Sequence, residues 1–225
     1  MSNQFQDLLN ALIQSKLPQI NSAVSSAIKS RGLDPMVNVT SGSQTIGSID
    51  LGICTAEAVA GYVLQNLTGL STLQINSLVI TSSTATPDGS SLHGTVRLDA
   101  TITSNLGIHL GGSFKAGCGF IKPSVGLGGN VNISSVSINA TGDFDATIGS
   151  QLCLTHIEIK NPGLNYGNIN VNIDGLGIFN TLLGPLENFI LGLVKGPVIG
   201  LIQGAVTPAV NNALNGVFPQ CTSLS

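Results

Sequence analysis

The hydrophobic residues of this 225-residue chain follow a helical period at both ends and a period of two in between. Apolar residues recur every three or four positions over residues 4–31 and again over 176–217, which predicts helices. From about residue 72 to residue 174, apolar and polar residues alternate, which predicts strands with one buried face. The sequence therefore predicts an α+β fold, in which a long, highly curved antiparallel sheet lies between two helical ends.

The first predicted helix has one apolar stripe, and a proline lies inside it. Pro18 has no N–H to donate, so it predicts a kink or a break. Lys29 and Arg31 suit the negative end of the helix dipole, and Gly32 predicts the stop. Gln, Asn, Ser and Lys occupy the other face. The stripe consists of Phe5, Leu8, Leu9, Leu12, Ile13, Leu17, Ile20, Val24 and Ile28.

The middle of the chain predicts an antiparallel meander. Alternation is clearest over residues 92–102, 106–116, 136–148 and 169–173, and Pro87-Asp88-Gly89 predicts a turn before the first of these segments. Residues 36–68 are less regular. There we expect a strand from Thr45 to Leu51 and a short helix from Thr55 to Leu67.

The second helical region is interrupted by Pro185, Pro197 and Pro208, which predict kinked or consecutive segments. Glycine recurs there every fourth residue, at positions 192, 196, 200 and 204. Three interpretations fit this ladder: a membrane-spanning helix, a core helix that tolerates glycine, or a helix in a groove that doubles as the wall of a ligand site. Pro197 and Lys195 near the middle disfavour the span, and we favour the ligand wall.

Composition excludes several functions. Charged residues make up only 8% of the chain and the net charge is −3, so a nucleic-acid partner is not expected. No cofactor or catalytic motif is present, and we predict neither a cofactor nor an enzyme. His93, His109 and His156 occupy polar positions of strands and are interpreted as surface residues. Asp143 and Asp145 share a strand face, where solvated charges are favoured over an acid–base pair or a cation site.

Cysteines and sequons favour a secreted protein. The four cysteines lack zinc-site spacing, and an even number fits two disulfides in any of three connectivities. No signal peptide is visible at the polar N-terminus, which predicts a mature form. The cysteines are Cys54, Cys118, Cys153 and Cys221, and the candidate glycosylation sites are Asn38, Asn66, Asn132 and Asn139.

Three stretches resemble the tubular lipid-binding superfamily, which includes bactericidal/permeability-increasing protein, and especially its short secreted PLUNC and latherin-like members. They are residues 203–214 (QGAVTPAVNNAL), the turn at residues 87–89 with the strand that follows it, and Cys153 just before a strand. The resemblance implies one domain over residues 1–225, built as half of a barrel with both helices on the concave side of the sheet. It also implies the disulfides Cys153–Cys221 and Cys54–Cys118, because Thr207 occupies the position of the family's second cysteine. The family's last strand, after the helix, is expected to be missing.

The resemblance further implies a non-enzymatic protein that binds lipids or other apolar molecules between helix and sheet, with activity at air–water or microbial surfaces. The alternative is a dedicated foam protein that opens at the air–water interface, with hinges at Pro18 and Pro197, and has no specific ligand. Scattered basic residues give no site for anionic headgroups, so apolar contacts are expected to carry the affinity. The predicted groove is lined by Leu9, Leu12, Ile13, Phe179, Leu183, Ile190, Val194, Val198 and Ile202.

Overall fold

The structure, a computed structural model, describes residues 2–50, 52–118, 123–175 and 182–224. A 3-10 turn (Leu70–Thr72) precedes the third strand, and a π-turn (Val194–Val198) joins the last two helices. The elements are α1 (Ser2–Ser30), β1 (Met36–Asp50), β2 (Thr55–Thr68), β3 (Leu73–Ala85), β4 (Ser91–Ile102), β5 (Leu106–Gly117), β6 (Ser124–Ile133), β7 (Ser137–Ile148), β8 (Gln151–Asn165), β9 (Ile169–Asp174), α2 (Leu183–Leu193), α3 (Ile199–Val217) and β10 (Gln220–Ser223).

The strands form two five-stranded antiparallel sheets instead of one continuous meander. The first sheet has the order β1-β2-β5-β6-β9, and the second has the order β10-β8-β7-β4-β3. The pairs β2–β5 and β4–β7 join strands that are not neighbours in the chain. The predicted fold class is confirmed, since curved antiparallel sheet lies against both helical ends, as in half of a barrel.

Helices cover the concave sides of both sheets. Contacts of α2 reach both β1 and β9, the two outer strands of the first sheet, so that sheet curls around the helix. Tyr62 of β2 packs edge-to-face on Phe189 of α2, with ring centroids 5.2 Å apart. Helices α1 and α3 pack on each other and on β3 and β8 of the second sheet. Their buried residues form one continuous core with those of both sheets.

Residues 55–68 form strand β2, so the expected short helix is wrong. Ala56, Ala58 and Ala60 are buried at every second position, while Glu57 between them is exposed. That spacing is the period of a strand with one buried face. Alanine favours helices in isolation, but pairing with β1 and β5 on either side overrides this preference.

Asparagine side chains take the place of a neighbouring strand along the open edges of the second sheet. Asn21 of α1 accepts a hydrogen bond from the Ile75 N–H (2.7 Å) and donates one to the Ile75 carbonyl (3.1 Å). Asn10 of α1 does the same for Ile80, at 2.8 and 3.4 Å. An unpaired buried backbone group costs about as much as a lost hydrogen bond, so these carboxamides stabilise edge strand β3.

The opposite edge has the same arrangement. Strand β10 pairs only with residues 151–154 of β8, which leaves the rest of that strand open. Asn211 of α3 accepts a hydrogen bond from the Ile159 N–H (2.8 Å) and donates one to the Ile159 carbonyl (3.0 Å). We call Asn10, Asn21 and Asn211 the edge asparagines. They fix both helices to the sheet.

Helix α1 continues through Pro18, so the expected break does not occur. Pro18 is exposed, and α1 is attached to β3 on both sides of it. On the N-terminal side, the Gln14 side chain donates to the Leu78 carbonyl at 3.4 Å, and on the C-terminal side Asn21 holds Ile75. The polar face of this helix is therefore partly an attachment surface and not merely a solvated one.

The C-terminal helical region is interrupted at Pro197, as expected, but Pro185 lies in the first turn of α2 and α3 continues through Pro208, so these two prolines do not divide it. The Ile199 N–H bonds the Val194 carbonyl in the π-turn between α2 and α3. The glycine ladder, however, is exposed, and a β-carbon added at Gly192 or Gly200 would meet nothing within 4 Å. The expectation that another backbone packs closely on these glycines is therefore wrong, and the approach of a ligand there stays a prediction.

The helix Leu183–Val217 is long and apolar enough to cross a membrane, and a third of its most apolar window is buried. Among the buried residues of this helix, four branched side chains lie on the opposite side from the glycine ladder. They are Ile190, Val194, Val198 and Ile202. Length and composition alone therefore do not distinguish a membrane span from a helix that packs by one face.

Both disulfide pairings are confirmed, as Cys54–Cys118 and Cys153–Cys221. Cys153 and Cys221 lie directly opposite each other in β8 and β10. The expectation that no strand follows the last helix is wrong, because β10 forms there. Its short pairing with β8 is reinforced by the disulfide.

The edge asparagines generate a stability prediction. Asn211→Ala should lower the free energy of unfolding by about 1–3 kcal/mol, since both backbone groups of Ile159 lose their partner. Chemical denaturation measures the loss. Asn212→Ala is the matched control, because Asn212 is exposed and should change stability by less than about 0.5 kcal/mol. Equal effects of the two substitutions would contradict the role of Asn211.

The turn between β3 and β4 generates a second prediction. Asp88 accepts hydrogen bonds from the Thr86 hydroxyl (2.6 Å) and from the Ser90 N–H (3.1 Å) and hydroxyl (2.8 Å), and these lower its pKa from 3.8 to about 2. A carboxylate whose pKa is lowered by folding stabilises the fold above its unfolded pKa, and this stabilisation is lost as the pH falls through the folded value.

NMR titration of the Asp88 carboxyl should therefore give a midpoint near 2. Thr86→Val removes the largest cause and should raise that midpoint. It should also weaken the acid dependence of the unfolding temperature between about pH 4 and pH 2. An unchanged midpoint in the variant would show that Thr86 is not the cause.

Candidate ligand-binding site

An apolar crevice lies between α3 and the concave face of the second sheet. The empty space between its walls, counted out to the mouth, is about 360 Å³, but almost none of it is wide enough to admit a water molecule. Its walls come from four strands and one helix. The lining residues are Leu73, Leu98, Ala100, Ile138, Ala140, Ile159, Pro162, Gln203, Val206, Thr207 and Val210.

Small residues in the two central strands leave the space for this crevice. On the paired strands β4 and β7, Leu98 lies opposite Ala140, and Ala100 lies opposite Ile138. Each pair combines one large side chain with one that ends at its β-carbon. The floor is therefore lower at the alanines, and Val206 of α3 lies above it.

Three half-buried lining residues carry polar groups, although only their apolar atoms face the crevice: Pro162 of β8, and Gln203 and Thr207 of α3. Gln203 Nε2 donates to the Pro162 carbonyl at 3.3 Å, which joins helix to strand. Thr207 Oγ1 donates to the Gln203 carbonyl at 3.0 Å, one turn earlier in the same helix. The other lining residues are apolar and buried.

Charged residues next to the crevice in sequence face away from it. Asp99 lies between two lining residues of β4 and points to the convex face, where hydrogen bonds from Asn139 and Arg97 lower its pKa. Lys160 of β8 pairs with Asp143 (2.9 Å) and Glu158 (3.0 Å), which raise its pKa. Strand alternation places these charges on the other side of the sheet from the crevice.

The predicted groove residues lie mostly in the core. Leu9, Ile13, Ile190, Val194, Val198 and Ile202 are buried, while Leu12 and Leu183 are half-buried. Phe179 lies outside the described residues. None of the others lines the crevice, which opens further along α3. The predicted groove residues and the crevice therefore occupy different parts of the interface between helix and sheet, and the ligand-binding role of the predicted residues stays a prediction.

The other residues singled out from the sequence lie on the surface. His93, His109 and His156 are exposed, as expected, and His93 Nδ1 is 3.6 Å from the Asp145 carboxylate. Asp143 and Asp145 lie on the convex face of β7 and not beside the crevice. Across the described ranges, no three His, Cys, Asp or Glu residues are grouped in a way that would hold a metal ion. The four sequon asparagines Asn38, Asn66, Asn132 and Asn139 are all exposed.

Comparisons with known proteins find likeness among solved structures alone. No protein-family model matches the sequence, and no curated protein does. Among solved structures, Takeout 1 of Epiphyas postvittana is similar over 94% of this chain and 92% of its own, at 13% identity and a TM-score of 0.41. This sequence identity and this TM-score are too low to carry an argument about function. The function is therefore argued from the chain's own residues.

Proposed function

We propose that this chain is a non-enzymatic binding protein that holds a lipid or another apolar molecule between α3 and the second sheet. The observation that carries the proposal is the crevice itself, whose surface is apolar and beside which lie the polar groups of Pro162, Gln203 and Thr207. Ligand sites of this kind are mostly apolar with a few polar groups that set orientation. One domain over residues 1–225, of the tubular lipid-binding type, is part of the proposal, and the single continuous core supports it.

Hydrocarbon burial supplies the affinity in this proposal. Removing a methylene group from water gains about 0.8 kcal/mol, so a chain of about ten methylenes gains roughly 8 kcal/mol before the cost of association is subtracted. Few polar groups fix the ligand, so several chain lengths should bind.

The crevice must widen to admit a chain. Near the C-terminal end of α3, Asn211 holds Ile159 by two hydrogen bonds, whereas Gln203 holds Pro162 by one. The π-turn at residues 194–198 separates α3 from α2. We propose that α3 lifts at its Gln203 end while Asn211 stays in place. The ligand tail then extends along the helix–sheet seam towards the predicted groove residues Leu9, Leu12, Ile13, Phe179, Leu183, Ile190, Val194, Val198 and Ile202.

We also propose that the protein is secreted and glycosylated. Its two disulfides suit an oxidising compartment, and exposure of all four sequon asparagines leaves them accessible to modification. Peptide mapping of material from its native source would identify any glycans.

The purified protein should take up apolar ligand at this crevice. An organic extract examined by mass spectrometry should contain lipid, or an apolar fluorophore should bind and be displaced by lipid. Ala140→Leu fills the floor and should weaken fluorophore binding by about tenfold or more, the equivalent of about 1.4 kcal/mol. Ala146→Leu is the matched control, because Ala146 is buried in the same strand but does not line the crevice.

Ala140→Leu and Ala146→Leu both overpack the core. Comparable unfolding temperatures of the two variants would show that a difference in binding between them does not come from lost stability. Absence of lipid in the extract together with absence of fluorophore binding would refute the proposed function. Equal weakening by both variants would place the ligand elsewhere.

A second function, activity at an air–water or lipid interface, is favoured by the exposed side of the C-terminal helices. Glycine and proline dominate that side, and Lys195 is its one exposed charged residue among residues 182–217. Half-buried Leu191, Leu193 and Leu201 flank it. Such a surface carries almost no charge to resist leaving water, whereas the convex face of the second sheet keeps its ion pairs solvated.

Surface tension should fall at protein concentrations in the micromolar range or below. Gly196→Glu with Gly200→Glu places two charges on this exposed side, where an added β-carbon meets nothing within 4 Å, and should weaken the effect. Gly216→Glu is the control, since it is equally open but lies at the end of α3. Surface tension equal to that of buffer for the unaltered protein would end this second proposal.

A further inference from the structure

The polar groups of the crevice are all neutral. They are the carboxamide of Gln203, the hydroxyl of Thr207 and the backbone carbonyl of Pro162. In the closed crevice these groups bond to one another and only apolar atoms face the space: Gln203 Nε2 donates to the Pro162 carbonyl at 3.3 Å, and Thr207 Oγ1 donates to the Gln203 carbonyl. The proposed lifting of α3 at its Gln203 end would break the first bond and free a carboxamide donor and a carbonyl acceptor for a ligand head. A ligand hydroxyl could then accept from the Gln203 carboxamide and donate to the Pro162 carbonyl. An ester carbonyl can accept from Gln203.

No cation is available at this position in the part of the chain that the structure describes. The nearest basic side chains in sequence are Arg97 and Lys160, and both lie on the convex face, paired with Asp99 and with Asp143 and Glu158. Their ion pairs would have to break and the side chains would have to cross the sheet to reach the crevice. The basic residue of the C-terminal helices, Lys195, is exposed in the π-turn, two turns before Gln203.

A charged headgroup therefore finds no cation at the crevice among the residues that the structure describes. An ionised carboxylate buried without a paired cation loses its hydration with little in return, whereas a hydroxyl or ester loses far less and recovers it through one or two hydrogen bonds. A fatty acid is ionised at neutral pH, because carboxyl groups of this kind titrate near 4 to 5.

We propose that the crevice selects uncharged lipids, with a hydrocarbon tail and a single hydroxyl or ester head, over the ionised acid of the same length, and that Gln203 contacts the head. This inference rests on the proposed function and narrows it to a ligand class. Gln203 sets specificity in this scheme, and the tail is bound by the apolar floor whichever head it carries.

Competition against a bound apolar fluorophore tests the inference, with dodecanol, methyl dodecanoate and dodecanoate at about pH 8, where the acid is ionised. Dodecanol and the ester should compete at least ~10-fold better than dodecanoate. Dodecanoate competing as well as dodecanol would overturn the inference and leave the proposed function standing. Failure of all three to displace the fluorophore would overturn the proposed function and the inference with it.

The three ligands also differ in their own hydrophobicity. Two variants that add the same charge at different positions distinguish this difference from the effect of the site. Gln203→Lys places a cation at the proposed head position and should improve dodecanoate relative to dodecanol by at least ~5-fold. Gly204→Lys adds the same charge at the next residue, on the exposed side of α3, and should leave the ratio unchanged. Circular dichroism verifies that both variants fold. An unchanged ratio in Gln203→Lys would show that the head does not lie at Gln203.

Discussion

Carboxamide side chains that complete the open edges of a sheet are the interaction on which the remaining structure depends. An edge strand presents unpaired N–H and C=O groups, and a carboxamide can satisfy one of each on the same residue. Asn10 and Asn21 do this on β3, and Asn211 does it on β8. Because the bonds are directional, they fix where α1 and α3 lie on the concave face, which apolar packing alone specifies less sharply.

Helix α3 is attached to the sheet by two hydrogen bonds at Asn211 and by one at Gln203, nearer its N-terminal end. Asn211 anchors one end of α3, while the π-turn around Pro197 and the exposed glycines lie before it. Glycine in an exposed helix position costs about 1 kcal/mol relative to alanine, so this region is held by burial of its inward face more than by its own helix propensity. A helix with one firm attachment suits the proposed site, whose walls touch until a ligand separates them.

Segregation of charge serves both proposed functions. Few residues of the chain are charged, and the convex face of the second sheet carries several of them as exposed ion pairs. Exposed pairs add little stability, but they keep that face hydrated. The opposite layer, made of the C-terminal helices, is left nearly free of charge, and so is the crevice beneath it. The placement of charge on the convex face thus explains both the apolar crevice and the nearly uncharged exposed side of the C-terminal helices.

Periodicity by itself determined the helix of residues 2–30, the strands around Leu98 and Phe144, and the interruption at Pro197, because these depend on neighbours within a few positions. Resemblance to a family, and not spacing, supplied the disulfide partners. Tertiary structure alone decided that residues 55–68 are a strand, that the glycines face outwards, and that Ala140 lies beneath α3. Each of these depends on which distant segment packs alongside, and a one-dimensional pattern records which residues are apolar without recording what they will meet.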